Sequence, residues 1–289
     1  MKELTGKVAV ITGAASGIGA ALCHAAAARG MKIVAADIEE AALQVLAKEL
    51  GDRGADAITQ QTDVRSAEQV EALAKRSFSH FGVVHLLANN AGVVVGGSSW
   101  EQSLDDYRWV VDVDFYGVVH GIRSFVPRFI EQGVEAHVLN TASAAGLSMA
   151  PGLGPYYACK AAVVSLSETL YLETKEGAHP NIGVSVLCPE IVRTKIGSSH
   201  RNRPSDSAKD GPQTEERALY EGGLVDFVGE SKILPEHLAE RAFEGIENDR
   251  FYILPPGGSG FDKAIVGRLD AIRNRDNPTL FVPLDDEYS

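Results

Sequence analysis

KVAVITGAASGIG (Lys7–Gly19) decides the fold. A short apolar run, Lys7–Ile11, leads into a glycine-rich loop, TGAASGIG (Thr12–Gly19), and an alanine-rich helical pattern follows over Gly17–Arg29. A continuous apolar run bounded by turn residues reads as a strand buried on both faces. Gly13 permits the tight turn that leaves the strand. Gly17 and Gly19 let the backbone approach a pyrophosphate and let the helix pack on the sheet. The helix N-terminus offers free N–H groups and a partial positive charge to phosphates. Such a loop is weak as a signal alone and strong between a strand and a helix. Gly13, Ser16, Gly17, Ile18 and Gly19 are therefore the expected contacts of a dinucleotide.

The same alternation continues outward. Strands are expected at Met31–Ala36, Ala57–Gln61, Val84–Ala88, Ala136–Thr141, Gly183–Cys188 and Phe251–Leu254. Helices are expected at Glu39–Leu50, at Ser66–Phe81 behind a serine cap, and at Tyr156–Lys175. A long helix over Leu104–Glu131 should be interrupted or tightened near Gly117–Gly121, and two more helices fall at Gln213–Phe227 and Asp262–Asn274. Strands alternating with helices imply an α/β fold, a parallel sheet with helices on both faces. Right-handed crossovers leave little topological choice. Residues 1–289 read as one domain. Within it, 194–232 is an excursion of the type that forms lids and substrate loops. Ser198–Gly211 is polar and rich in turn formers, which suggests a mobile loop, and 277–289 reads as a tail that is disordered or docks on a neighbouring subunit.

Composition narrows the function classes. The chain has 289 residues, a formal charge of −12 and 45% hydrophobic residues, so it can bury one large core. A net acidic surface argues against nucleic acid or an anionic membrane as main partner. Cys23, Cys159 and Cys188 are far apart and form no CxxC pair, which suits a reducing cytosol. Cys159 reads as a small packing residue. The start, MKELTGKVAVITG, has no signal-peptide pattern, and the histidines show no metal-ligand spacing, so the expectation is a cytoplasmic protein without a metal.

Asp37 ends the second expected strand, 18 residues beyond Gly19. Its carboxylate can accept hydrogen bonds from the adenosine ribose hydroxyls and would repel a 2′-phosphate. Ala14, Ala15 and Ile38 offer no compensating positive charge, so NAD is expected over NADP. Asp63–Val64 follows the third strand, where a carboxylate can bond the adenine amino group. NNAG (Asn89–Gly92) follows the fourth, with Asn90, Ala91 and Gly92 beneath the ribose.

The chemistry points to NTASAAGLSMAPGLGPYYACK (140–160). Tyr156 and Lys160, one helical turn apart on one face, place an ammonium under a phenol. A free tyrosine titrates near pH 10 and is a poor base at neutrality. A nearby Lys⁺ favours the phenolate; a drop of roughly three units is worth roughly 4 kcal/mol. The phenol then exchanges a proton with an alcohol, and Ser143 supplies a second hydrogen bond to the same oxygen.

TGAASGIG, Asp37, Asp63, NNAG, Ser143, YYACK and CPEIVRT together resemble the short, single-domain branch of the short-chain dehydrogenase/reductase family, from about Lys7 to Thr194. The resemblance implies a Rossmann-type doubly wound sheet of about seven strands and nicotinamide-dependent alcohol/carbonyl chemistry. It implies that Tyr156 is the acid/base, that Ser143 binds the substrate oxygen, and that Lys160 bonds the nicotinamide ribose. It assigns Pro189, Ile191 and Thr194 to the carboxamide side of the nicotinamide. Two positions depart from the family pattern. Asp114, in VDVDFYG, stands where the family usually has an Asn thought to organise a proton-relay water, and is carried as a fourth catalytic candidate. Glu190 stands where Gly is common; it either bonds a substrate hydroxyl at the pocket entrance or is a solvated loop residue.

The expected pocket walls are Val94–Trp100, Leu147–Leu153 and the 191–232 excursion, with Val94, Val95, Leu147, Met149, Leu153, Ile191 and Ile196 as apolar contributors. They suggest a bulky, aromatic secondary alcohol or ketone. Gly96, Gly97, Gly152 and Gly154 suggest room for a large ligand or a mobile mouth. The HRNRP loop and the segment LPEHLAERAFEGIENDRFYILP loosely resemble the Cα-dehydrogenases of β-aryl ether lignin dimers. Steroid or cyclic alcohols and a non-catalytic nicotinamide-binding regulator stay open. A homodimer or homotetramer is expected through helices 104–131 and 156–175, with Val163, Val164 and Leu170 as contacts.

Overall fold

The computed structural model of the protein describes residues 1–204 and 214–279. Among them, seven strands form one parallel sheet in the order β3-β2-β1-β4-β5-β6-β7. They are β1 (Val8–Thr12), β2 (Lys32–Asp37), β3 (Ala57–Gln61), β4 (Leu86–Asn89), β5 (Ala136–Thr141), β6 (Ile182–Leu187) and β7 (Tyr252–Ile253). β1 and β5 are buried at every position, as continuous apolar strands between two helical layers should be.

The pleat of β1 divides the core. Ala9 and Ile11 face a layer that includes Leu22 of α1 (Gly17–Ala28), Leu43 and Leu50 of α2 (Glu40–Asp52), and Phe243 of α8 (Pro235–Glu247). Val8 and Val10 face Leu73 of α3 (Ala67–Phe81), Phe125 and Phe129 of α5 (Gly117–Gln132), and Leu170 of α6 (Gly154–Glu173). α3 starts where the serine signal put it: Ser66 accepts from the Gln69 N–H. Strand order reverses between β1 and β4, so the carboxyl ends of those strands open a cleft, the usual ligand position in open α/β sheets.

Several expectations shift. The long helix is α4 (Leu104–Val111), one π-helical turn over Asp112–Tyr116, and then α5. The break thus precedes the glycines. Gly117 and Gly121 serve close packing instead: a Cβ at Gly117 would lie 2.9 Å from Val64 Cγ2, and one at Gly121 2.0 Å from Asn89 Oδ1. α6 begins at Gly154 and gives way to a π-helical turn over Thr174–Ala178. α8 adds a helix beyond those expected: Pro235 opens it, and Leu238, Ala239, Ala242, Phe243 and Ile246 mark its buried face. Val163, Val164 and Leu170 cover the chain's own sheet and are buried there, so they offer no surface to another subunit.

The excursion holds a 3₁₀ segment, Ile196–Asn202, and α7 (Glu215–Glu230); α9 (Gly260–Asn274) closes the described chain. Half of the expected loop at Ser198–Gly211 and most of the tail at 277–289 lie outside the described residues. Among the described residues no helix is long and apolar enough to cross a membrane.

Candidate active site

The glycine loop is built for a close ligand. Gly13 and Gly17 have φ of +63° and +54°, the left-handed region where a side chain costs energy. A Cβ at Gly13 would stand 2.7 Å from Ala91 Cα, and one at Gly19 2.0 Å from the Gly13 carbonyl. Gly19 is therefore a packing position and lies outside the cleft wall, whereas Gly13, Ser16, Gly17 and Ile18 line it. Thr12 Oγ1 accepts from the Asn90 and Ala91 N–H groups at 3.0 and 3.2 Å, and Asn90 Nδ2 donates to the Thr12 carbonyl at 3.1 Å. Asn90 thus sutures NNAG to the glycine loop as well as lining the floor.

Asp37 sits in the cleft wall at the end of β2. Its oxygens accept from the Ala15 N–H at 2.8 Å and the Glu39 N–H at 3.0 Å, which fixes the carboxylate's aim. Burial pushes its carboxyl up, against those backbone donors. Each oxygen retains a lone pair for a ribose hydroxyl, while a 2′-phosphate would meet a charge of its own sign. Ile38, Val64 and Gly92 also line the cleft. Asp63 lines it too, but its carboxylate is held by Arg65 with contacts of 2.6 to 3.0 Å, a partner the sequence reading did not assign.

The candidate reacting groups converge further along the cleft. Ser143 follows β5; its Oγ accepts from the Ala145 N–H at 3.1 Å and donates to the Pro189 carbonyl at 3.4 Å. Tyr156 stands in the first turn of α6, with Lys160 Nζ 5.5 Å from its ring centre. Lys160 donates to the Thr141 carbonyl at 3.2 Å and is buried. Burial pushes the Tyr156 phenol above its ordinary value, against the pull of Lys160 and of the Ser143 hydroxyl. The expected lowering by Lys160 is present, and desolvation of the phenolate outweighs it in the chain by itself. Asp114 reaches this centre from behind. Its carboxylate meets Lys160 Nζ at 3.1 Å, and the side chain is wholly buried outside the cleft wall.

The cleft encloses about 430 Å³ and runs from Asp37 to α7 and α9. Val94, Met149, Leu153, Ile191 and Ile196 line it as expected, and Pro189 and Thr194 lie beside them. Val95 and Leu147 turn into the core instead, and Trp100 is 83% exposed. Wall residues that the sequence did not single out include Trp109, Tyr157, Leu224, Phe227 and Phe261. The walls contributed by 145–153, α7 and α9 carry no charged side chain. The expected glycine-lined mouth is occupied by protein. A Cβ at Gly152 would lie 2.3 Å from the Tyr220 ring, one at Gly96 3.0 Å from Glu221 N, and one at Gly154 2.5 Å from Ser99 Oγ. Gly96 and Gly152 admit α7 rather than a ligand. Glu190 fits neither reading of it: its carboxylate is buried against Arg241 of α8, with both contacts at 2.9 Å.

A doubly wound parallel sheet, a glycine loop at its switch point and a Ser–Tyr–Lys centre define a nucleotide-dependent oxidoreductase acting between alcohol and carbonyl. The profile of the short chain dehydrogenase family matches residues 7–205, and the chain belongs to that family. A short chain dehydrogenase/reductase from Burkholderia phymatum, solved in complex with NAD, is 42% identical; the match covers 98% of this chain and 100% of that one, with a TM-score of 0.94. A C alpha-dehydrogenase from Sphingobium sp. is 31% identical over 263 residues, 88% of this chain and 82% of that protein. A 1-deoxy-11-beta-hydroxypentalenate dehydrogenase from Streptomyces exfoliatus is 33% identical over 253 residues, 87% and 83% of the two.

Proposed function

We propose that the protein is an NAD-dependent dehydrogenase of a bulky, uncharged secondary alcohol, with an aromatic alcohol bearing the hydroxyl beside the ring as the favoured substrate. The observation that carries this reading is the apolar and aromatic part of the cleft lined by Trp109, Met149, Phe227 and Phe261, with no charged side chain from 145–153, α7 or α9. A carboxylate or phosphate group in that half would be desolvated without a partner. Likeness to the C alpha-dehydrogenase supports the aromatic choice. Asp37 and the glycine loop fit NAD, as does the likeness to the NAD complex.

NAD bound there supplies the hydride acceptor and a positive charge beside Tyr156. Ser143 holds the alcohol oxygen. Tyr156 takes the hydroxyl proton, and its phenolate is supported by Lys160 and by the cofactor's charge, which together must overcome the cost of burial. Pro189, Ile191 and Thr194 cover the nicotinamide side of the cleft. The whole chain acts as one domain, with 194–232 covering the substrate. Assembly into a homo-oligomer through α4 and α5 is supported by Leu104, Tyr116 and Ile130, which expose 72, 46 and 40% of their surface.

The test is reduction of NAD and NADP by purified protein over aryl, steroid and cyclic secondary alcohols, beside Tyr156→Phe. Turnover of an aryl alcohol with NAD, absent in Tyr156→Phe while NAD still binds, is expected. Turnover confined to steroid or cyclic alcohols removes the aromatic assignment. A Tyr156→Phe enzyme with full activity removes the mechanism. Asp37→Ala is expected to narrow the preference for NAD over NADP; an unchanged ratio would show that the carboxylate does not select.

A further inference from the structure

The π-helical turn over Asp112–Tyr116 carries a carboxylate into the interior behind the reacting centre. Asp114 Oδ1 accepts from the Val93 N–H at 2.8 Å, and Oδ2 stands 3.1 Å from Lys160 Nζ. The side chains of Asp114 and Lys160 are 0 and 3% exposed. Gly92 leaves just enough space for the pair: a Cβ there would be 3.4 Å from both Asp114 Oδ2 and Lys160 Nζ. Isolated, either charge would be costly so deep in the protein, and each is the other's ionic partner. Lys160 is thereby fixed at two points, the Thr141 carbonyl and the Asp114 carboxylate.

A charge this close also acts on Tyr156. We propose that Asp114 is a positioning residue: it fixes Lys160 Nζ below Tyr156 and offsets part of the lysine's charge there. Beside a neutral amide in its place, the phenol would release its proton at lower pH. The idea rests on the reading of Tyr156 as the proton carrier. The groups facing Tyr156 are Lys160, Tyr157 and Cys159 on α6, Asp114 on the π-turn, and Ser143 and Cys188 at the ends of β5 and β6. Burial pushes Tyr157, Cys159 and Cys188 up to about 12, so they stay neutral over the working range. Lys160 and Asp114 form the ionic pair of the set, with opposite effects on the phenol; burial pushes the Asp114 carboxyl up, against the pull of Lys160 and the Val93 N–H. Replacing the carboxylate by an amide leaves the lysine charge undiluted.

The experiment uses Asp114→Asn, which keeps the side chain's size. Phenolate absorbance, taken as the difference between each protein and its Tyr156→Phe counterpart, reports ionisation of Tyr156 with NAD present and no alcohol. The titration is expected to move to lower pH by about one unit, a tenfold change in the proton equilibrium. The acid limb of kcat/KM for alcohol oxidation is expected to move the same way. Asp114→Ser, smaller and also neutral, gives the same direction should the amide variant fold poorly. A titration that stays in place or moves upward overturns the proposal. Absence of turnover with every alcohol would count against the dehydrogenase reading, while the absorbance titration would still decide the role of Asp114.

Discussion

Arg241 of α8 grips Glu190 through two contacts of 2.9 Å, and Glu190 is the residue after Pro189, in the segment Pro189–Thr194 that lines the cleft and is proposed to cover the nicotinamide. The Glu190 side chain is fully buried while Arg241 is 23% exposed. Removing the arginine leaves a buried carboxylate without its partner. Arg241→Ala is expected to lose about 3 kcal/mol of stability in urea unfolding. Weaker NAD binding should accompany it, since the covering segment loses its anchor. Glu190→Gly, which removes the stranded charge as well, is expected to lose less.

Gly152 has φ of +92° and faces the Tyr220 ring of α7 with no room for a methyl group. Gly152→Ala is expected to push α7 off the alcohol pocket. Substrate KM should rise about tenfold, the equivalent of roughly 1.4 kcal/mol, with NAD affinity unchanged by titration. Equal losses for substrate and NAD would show that α7 is not a separate wall.

Asp106 of α4 is the buried anchor of the excursion, with Arg203 and Arg217 both paired to it, the latter at 3.2 Å. Burial alone would raise its carboxyl; the Arg203 hydrogen bond, the Ser103 N–H and the two guanidinium charges outweigh that and hold it below the usual carboxylate range. A carboxylate lowered on folding stabilises the attached state above its ordinary pKa of about 3.9, and that contribution is lost as pH falls through the lowered value. Protease cleavage within 214–230 should rise at that acid edge. Asp106→Asn should show the same cleavage already at neutral pH.

His137 and His85 are buried beside the sheet, and burial drives their pKa values down to about 3 and about 4. The unfolded chain therefore takes up their protons first. Their contribution is complete above about pH 6.5 and falls as pH drops toward the folded values. Urea unfolding is expected to lose up to about 2.7 kcal/mol per pH unit near pH 5 from the two together. His85→Gln, whose amide oxygen can accept from the Val8 N–H as His85 Nδ1 does at 3.0 Å, should halve that slope.

The sheet and the reacting trio were legible because their signals are local. TGAASGIG must turn tightly, and Tyr156 and Lys160 must share a helix face whatever surrounds them. Asp37 was legible because it ends a strand. Burial was not. The pull of Lys160 on Tyr156 reads from spacing, but the larger opposing cost of desolvation appears only once the centre is packed. The partners of Glu190 and Asp114 lie 51 and 46 residues away along the chain, and no period links them. The glycines at 96 and 152 suggested room for a ligand or a mobile mouth, but the room is taken by α7, whose distance along the chain hides it. α8 is signalled by Pro235 and by the spacing of Leu238, Ala239, Ala242, Phe243 and Ile246.

The 3₁₀ segment Ile196–Asn202 touches both ends of the cleft. Ser199 Oγ accepts from the Val94 N–H at 3.2 Å on the alcohol side, while Arg201 and Asn202 reach Glu39 at 3.0 and 2.8 Å beyond the adenosine end. The cleft is thus a passage with one roof over two rooms. Turnover should then follow a compulsory sequence, the nucleotide entering before the roof settles and the alcohol arriving afterwards from the α7 side. Initial-rate patterns with an inert alcohol analogue are expected to be competitive against alcohol and uncompetitive against NAD. Cutting the far tether with Glu39→Ala should convert that ordered pattern to a random one and quicken the departure of reduced nucleotide.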